Sequence, residues 1–278
     1  MEFEEYLRDI PLFHSWDGGV TWNEGGFSPE VLRTLHSFLR AVLPRRPVLL
    51  ETGAGNSTVM MLFLSPAKLI AIAPDGELFE RIHRFCDLNS ISYDALEEHV
   101  EGSQWVLPRL AADNRRFEPF LDFALIDGCH GWPTCLVDLE YANAMLKPGS
   151  YLLIDDTDLH SVKEMVRFLV EQPGFSLALD LGKSVVFQKL TAERDFGEWT
   201  SQPYIVRRYR HYVRSPNRYA LHDYTMFSRT AYMLFSGSMA GVRVPLLWVG
   251  RRLPQDLRRR LKESSWARFF GRHACRPE

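Results

Sequence analysis

Residues 47–59 read Pro-Val-Leu-Leu-Glu-Thr-Gly-Ala-Gly-Asn-Ser-Thr-Val, and how they fold decides how the rest of the chain is read. A continuous apolar run, Pro47–Leu50, is too short for a helix and gives out at once into a polar turn, Glu51–Ser57. Such a run is a buried strand. Gly53 and Gly55 let the backbone of that turn approach a ligand closely, and the N–H groups entering the next helix favour negative charge. Packing alone also produces turns of this kind, and that reading stays open beside the binding one.

Upstream, Ser28 followed by Pro29 is a helix start, and Val31, Leu32, Leu35, Phe38, Leu39 and Val42 keep helical spacing up to Pro44. Residues 1–27 read as an irregular lead-in whose Trp16, Trp22 and Phe27 either wall a pocket or pack on the sheet edge. Downstream, strands are expected at Lys68–Ala73, Leu121–Ile126 and Tyr151–Ile154. They alternate with helices at Gly76–Leu88, Pro133–Leu146 (closed by Lys147-Pro148-Gly149) and Val162–Glu171. Ser176–Leu181 and Ser184–Lys189 form a terminal hairpin around Gly182-Lys183. Apolar strands separated by helices imply an α/β fold, a mostly parallel sheet covered on both faces, with ligands at the carboxyl ends of its strands.

Acidic residues gather at those ends. FALIDGCH and YLLIDD each close an apolar strand with carboxylates, Asp127 in the first and Asp155 and Asp156 in the second. Neighbouring strands would bring the three to one spot, where they repel unless a cation or proton lies between them; hard oxygen donors suit Mg²⁺. The plainer alternative is that Asp127 orders its turn and Asp156 caps the following helix. His130, three residues after Asp127, is placed to accept a proton from a hydroxyl.

The 278 residues, 46% hydrophobic and 24% charged, suffice for one or two domains and exclude disorder, collagen and coiled coils. Cys86, Cys129, Cys135 and Cys275 form no CxxC pair, so neither a disulfide framework nor a zinc ribbon is expected. The acidic start, MEFEEYLRDI, lacks the apolar core of a signal peptide, which makes a cytoplasmic protein the expectation. A net charge of −2 conceals a division: residues 201–278 hold 15 Arg and one Lys against four acids, a balance of +12, and residues 1–200 carry −14. Opposite charges on two segments suggest two functional surfaces. Within the basic segment lie an arginine–aromatic stretch (YIVRRYRHYVRSPNRY), an apolar run from Ala231 to Gly250, and an end (RRLPQDLRRRLKESSWARFF) with Leu253, Leu257 and Leu261 at helical spacing. That end suits an amphipathic helix on an anionic surface, or a helical subdomain packed against acidic protein. Arg243 and Pro245 argue against a membrane span in the apolar run, and no recognised nucleic-acid motif is present.

Together these residues resemble motif I (VLLETGAGNSTV) and the later motifs EGS, IDGxH, LKPGS and IDD of class I S-adenosylmethionine-dependent methyltransferases. The stretch HVEGSQWVLPRL…FLDFALIDGCHGWPTCLVDLEYANAMLKPGSYLLIDD is similar to one branch, the macrocin-type and cephalosporin-hydroxylase-like enzymes, related to the metal-dependent catechol O-methyltransferases. The resemblance covers roughly residues 28–190. It implies a Rossmann-like doubly wound domain over 28–190, with 1–27 as lead-in and 191–278 as a basic helical extension.

It further implies S-adenosylmethionine held by Glu51, Gly53, Gly55, Asn56, Ser57, Ser103 and Asp127, and Mg²⁺ on Asp127, Asp155 and Asp156. His130, together with Asp127, would be catalytic. The acceptor would be a small molecule, sugar or glycoconjugate. One position departs from the family pattern: the acid that ends the second strand and grips the ribose is Ala73 here, leaving Asp75 as its nearest substitute. This departure supports an alternative, an inactive binding module whose arginine-rich tail docks an anionic partner or a membrane surface. A nicotinamide-dependent oxidoreductase is disfavoured, because Thr58 stands where a GxGxxG fingerprint has its third glycine.

Overall fold

The computed structural model describes residues 1–15, 19–113 and 119–213. The elements run α1 (Phe3–Tyr6), α2 (Pro29–Val42), β1 (Val48–Thr52), α3 (Asn56–Leu62), β2 (Lys68–Ile72), α4 (Gly76–Asn89), β3 (Leu96–His99), α5 (Ser103–Asp113), β4 (Leu121–Ile126), α6 (Thr134–Met145), β5 (Leu146–Ile154), α7 (His160–Val170), β6 (Phe175–Asp180), β7 (Val185–Lys189) and α8 (Pro203–Val213). One seven-stranded sheet has the order β3-β2-β1-β4-β5-β7-β6. All pairings from β3 to β5 are parallel, and β7 runs antiparallel to both β5 and β6. This is a Rossmann-like, doubly wound sheet with an antiparallel terminal hairpin, as the alternation of apolar runs and helices predicts.

Side-chain alternation along each strand divides the core between the two faces. Leu49, Leu69, Ala71, Phe123, Leu125 and Leu153 pack with α2, α3 and α4 on one side. Leu50, Ile70, Ile72, Ala124, Ile126, Leu152 and Ile154 pack with α5, α6 and α7 on the other. Ser28 caps α2 by accepting from the Val31 amide at 3.3 Å, with Pro29 in the first turn as expected.

Three features differ from the sequence reading. The lead-in is not wholly irregular: Phe3–Tyr6 is helical, and Tyr6, Leu7, Phe13 and Phe27 are buried in the first core. Trp22 is exposed and Trp16 lies outside the described residues. A further strand, β3, and the helix α5 bracket the EGS turn. The Lys147-Pro148-Gly149 stop belongs to β5, whose register against β4 slips between Leu121 and Phe123.

The chain divides into two compact units, Met1–Glu198 and Trp199–Glu278. Residues 191–198, read as the start of the extension, pack on the first unit. Arg194 Nε donates to the Ala144 carbonyl at 3.0 Å, and the Phe196 ring meets Phe168 and Phe175. In the second unit α8 begins the arginine–aromatic stretch, with the Arg208 guanidinium 3.4 Å from the Tyr204 ring centre. The apolar run 231–250 and the amphipathic segment after it lie outside the described residues. Among the described residues no helix is long and apolar enough to cross a membrane.

A buried lysine closes the sheet against α6. Lys189, at the end of β7, is fully buried, and its Nζ donates to the carbonyls of Asn143 (2.7 Å) and Leu146 (3.0 Å) at the C-terminal end of α6. Burial pushes its pKa down to about 8, yet the two carbonyls give the ammonium a role no apolar side chain fills. Lys189→Met strands both acceptors and is expected to lower the urea-unfolding free energy by about 1–3 kcal/mol. An unchanged unfolding midpoint would show that the capping contacts contribute nothing.

Candidate functional site

The carboxyl ends of five strands form one continuous edge, because the amide ladder runs one residue past the strands. Ala73 N–H donates to the His99 carbonyl, Gly53 to Ile72, Asp127 to Thr52 and Asp155 to Ile126, at 2.9–3.1 Å. Gly53, Asp127 and Asp155 therefore stand side by side on three adjacent strands.

The glycine turn follows β1. Gly53 has φ +96°, and a Cβ there would lie 2.5 Å from the Asp127 carbonyl oxygen, so only glycine lets β1 and β4 approach this closely. Gly55 has φ +149°, and a Cβ would press on the His14 ring. His14 Nε2 contacts the Ala54 carbonyl, and the Tyr6 hydroxyl donates to the Asn56 carbonyl at 2.9 Å, so the lead-in lies against this turn. Thr58, in the place of a third glycine, accepts from the Gly55 amide at 2.8 Å and braces the turn.

Beneath the turn lies Glu51, fully buried. Ser57 Oγ donates to its Oε2 at 2.8 Å, and Oε1 has no partner among the described residues. Burial raises its pKa to about 8, so at neutral pH it is a carboxylic acid.

Ser103 is buried at the start of α5. Facing it is a residue the sequence reading passed over, Asp138 of α6, 1% exposed, with neither carboxylate oxygen hydrogen-bonded among the described residues. The Thr52 hydroxyl is orphaned beside it, and burial raises the Asp138 pKa. Glu51 Oε1, Thr52 Oγ1 and the Asp138 carboxyl thus leave buried polar atoms around the turn. A polar cofactor offering donors and acceptors fits there, since such groups are costly to leave unmatched.

Asp75 is differently placed from its expected role. Its Oδ1 caps α4 by accepting from the Leu78 amide at 3.3 Å, and its Oδ2 pairs with Arg81 at 3.1 Å. Arg81 in turn donates to the Phe13 carbonyl at 2.9 Å, so this acid braces the lead-in.

At the β4 and β5 ends, Asp127, His130 and Asp156 converge, with one ligand atom of each within 4.8 Å of the others. His130 Nε2 is 3.4 Å from Asp156 Oδ2 and 3.6 Å from Asp127 Oδ1. It is buried and makes no hydrogen bond among the described residues. Asp127 raises the His130 pKa, whereas burial lifts that of Asp127 to about 6. Asp156 reaches the cluster from a left-handed backbone (φ +53°), and it does not cap α7, whose N-cap is Leu159.

Asp155 is turned to other partners. Its Oδ1 accepts from Ser184 and its Oδ2 from Lys183 Nζ at 3.0 Å, while the same ammonium lies 2.8 Å from Asp156 Oδ1. The set Asp127, Asp155 and Asp156 therefore does not close around a divalent ion with Lys183 in place, whereas Asp127, His130 and Asp156 lie close enough together to share one. Both Asp155 oxygens are taken, and even two unit charges about 4 Å apart repel by about 4 kcal/mol at an effective dielectric near 20. Lys183 is the second residue that the sequence reading missed.

No protein-family model matches the sequence, and no curated protein matches it. Solved structures do. The chain is similar to TomG of Streptomyces achromogenes, an O-methyltransferase involved in tomaymycin synthesis and solved in complex with SAM. The two share 19% identity, with 60% of this chain and 82% of that one covered, at a TM-score of 0.49. An O-methyltransferase from Bacillus cereus in complex with SAH gives 16% identity over 60% and 83% of the two chains, at a TM-score of 0.49. An rRNA methylase from Streptococcus thermophilus gives 22% over 57% and 95%, at 0.43.

Glu51 makes stability depend on pH in a definite direction. Its folded pKa, about 8, stands above the ordinary 4.5, so the native state keeps a proton that the unfolded chain releases. Stability contributed by this group is full below the ordinary value and is lost as pH rises through about 8. Asp127 acts in the same direction only up to about pH 6, so the window from 6 to 8 isolates Glu51 among these two. Glu51→Gln is expected to melt progressively higher than the parent protein between pH 6 and 8. A melting difference that is constant across this window would refute a protonated Glu51.

Proposed function

We propose that this protein is an S-adenosylmethionine-dependent O-methyltransferase acting on a hydroxyl of a small molecule, sugar or glycoconjugate, with His130 as the base. The observation that carries the reading is the buried, unbonded His130 Nε2 between Asp127 and Asp156, on the strand edge that also bears the glycine turn. The residues suited to hold the cofactor are Glu51, Gly53, Gly55, Asn56 and Ser57 around the turn, and Ser103 across from it. Asp127 lies between turn and base. When bound, the cofactor supplies a methyl group activated on a sulfonium.

The chain's own part is positioning and proton removal. His130 Nε2 takes the proton of the acceptor hydroxyl, and the oxygen keeps the electron pair with which it forms its new bond. Asp127 and Asp156, at 3.6 and 3.4 Å, then flank the imidazolium with negative charge. No divalent ion enters this reading.

A second reading has its own support. With Ala73 just past β2 and Asp75 engaged by the α4 cap and Arg81, neither position offers a free acid for a ribose. This favours a binding module without catalysis, whose basic segment, residues 201–278, docks an anionic lipid surface or acidic partner.

Calorimetric titration with S-adenosylmethionine and its demethylated product separates the two. Micromolar binding is expected, and no binding of either ligand by folded protein would sink the methyltransferase reading. With an acceptor in hand, His130→Ala is expected to lose about 10²–10⁴-fold in kcat. Because its neighbours raise the His130 pKa, the parent kcat climbs with pH above the ordinary histidine range. That limb is absent from His130→Ala.

A further inference from the structure

Lys183 sits at the tip of the β6–β7 hairpin, where Gly182 (φ +86°) turns the chain and the Leu181 amide donates to the Ser184 carbonyl at 2.9 Å. The tip is fastened to the exit of β5, since the Thr157 amide donates to the Lys183 carbonyl at 2.8 Å. From there the side chain reaches the acids. Its three N–H groups match three acceptors: Asp155 Oδ2 at 3.0 Å, Asp156 Oδ1 at 2.8 Å and the Gly25 carbonyl. The ammonium also lies 5.6 Å from the centre of the buried Phe27 ring, a cation–π distance. Ser184 fills the other oxygen of Asp155. An ammonium whose donors are all used, on a turn held by backbone bonds, is a built-in part of the site.

We infer that Lys183 supplies the positive charge that a divalent cation would otherwise bring to this cluster, so that the site works without a metal. It balances Asp155 and Asp156 and fixes the Asp156 carboxylate with its second oxygen toward His130. Lys183 is thus a positioning residue, and the hydroxyl acceptor is left to Asp127, His130 and Asp156. The bond to Gly25 ties the lead-in to the same charge. The inference deepens the reading above in what it says of the acceptor. The placement of the charge stands without it.

The test is titration of the whole protein with MnCl₂, followed calorimetrically and by the electron paramagnetic resonance of free Mn²⁺, with no cofactor or acceptor needed. The parent protein is expected to show no saturable site below about 1 mM, the weak end of built cation sites. Lys183→Ala frees Asp155 and Asp156 and is expected to bind Mn²⁺ at least tenfold tighter, with a melting temperature that rises on adding the metal. Lys183→Arg keeps the charge and is expected to behave as the parent does.

Saturable binding of Mn²⁺ to the parent protein at lower concentration would overturn the inference, as would a Lys183→Ala protein that binds no better than the parent. Should Lys183→Ala not fold, Lys183→Gln and the parent titration decide in the same way. Failure here is distinct from failure of the methyltransferase reading, which is decided by cofactor titration of the parent protein alone.

Discussion

The backbone bonds that run past the ends of the parallel strands are the constraint on which everything else rests. Asp127 N–H to the Thr52 carbonyl and Asp155 N–H to the Ile126 carbonyl, both 3.0 Å, bring polar residues of separate chain segments onto one edge. The glycine at position 53 is part of the same constraint. Any Cβ there would meet the Asp127 carbonyl at 2.5 Å and force β1 and β4 apart at the point where the acid must sit. The glycine turn therefore has a packing reason of its own, with which the proposed binding role is compatible.

Bringing carboxylates together under a covered sheet creates an electrostatic problem, and the structure meets it differently at each position. Glu51 is fully buried, and burial lifts its pKa to about 8, which favours the neutral acid. Asp155, also buried, receives a hydroxyl and an ammonium. Asp156 shares the same ammonium through Oδ1 and turns Oδ2 toward His130, which Asp127 Oδ1 approaches from the other side. A lysine at the neighbouring hairpin tip costs the fold little, because the turn has to be made there in any case.

Much of this was legible in the sequence, and the illegible parts have physical reasons. Apolar runs ending in Glu-Thr-Gly, Asp-Gly and Asp-Asp gave the strands and the edge, because a strand buried on both faces has no polar positions until it leaves the sheet. β3 was missed because Leu96–His99, at the sheet margin, carries Glu97 and Glu98 and has no apolar run. Asp138 could have been found. Cys135, Leu139 and Ala142 lie on its side of α6 at spacings of three and four residues, which places an acid on the buried stripe. Lys183 required the topology. Only when β7 pairs antiparallel with β5, with Val185 opposite Ile154, does the turn before it fall beside Asp155 and Asp156. Nothing in the local sequence of a Gly-Lys turn announces that neighbour.

The lead-in shows how one side chain's commitment alters what its neighbours can do. Asp75 was the candidate to replace the acid absent at Ala73, yet it is drawn into a chain of contacts: the Leu78 amide to Asp75, Asp75 to Arg81, and Arg81 to the Phe13 carbonyl. From Phe13 the same segment continues to His14 on the Ala54 carbonyl and, through Asn23, back onto Pro11. Two residues past Asn23, the Gly25 carbonyl meets Lys183. The lead-in is thus fastened to the ends of β1 and β2 through His14 and Arg81, and to that of β5 through Lys183. Asp75 is thus occupied in holding the lead-in, whatever residue stands at position 73. That segment, remote from the recognisable motifs, consequently lies against the same strand edge.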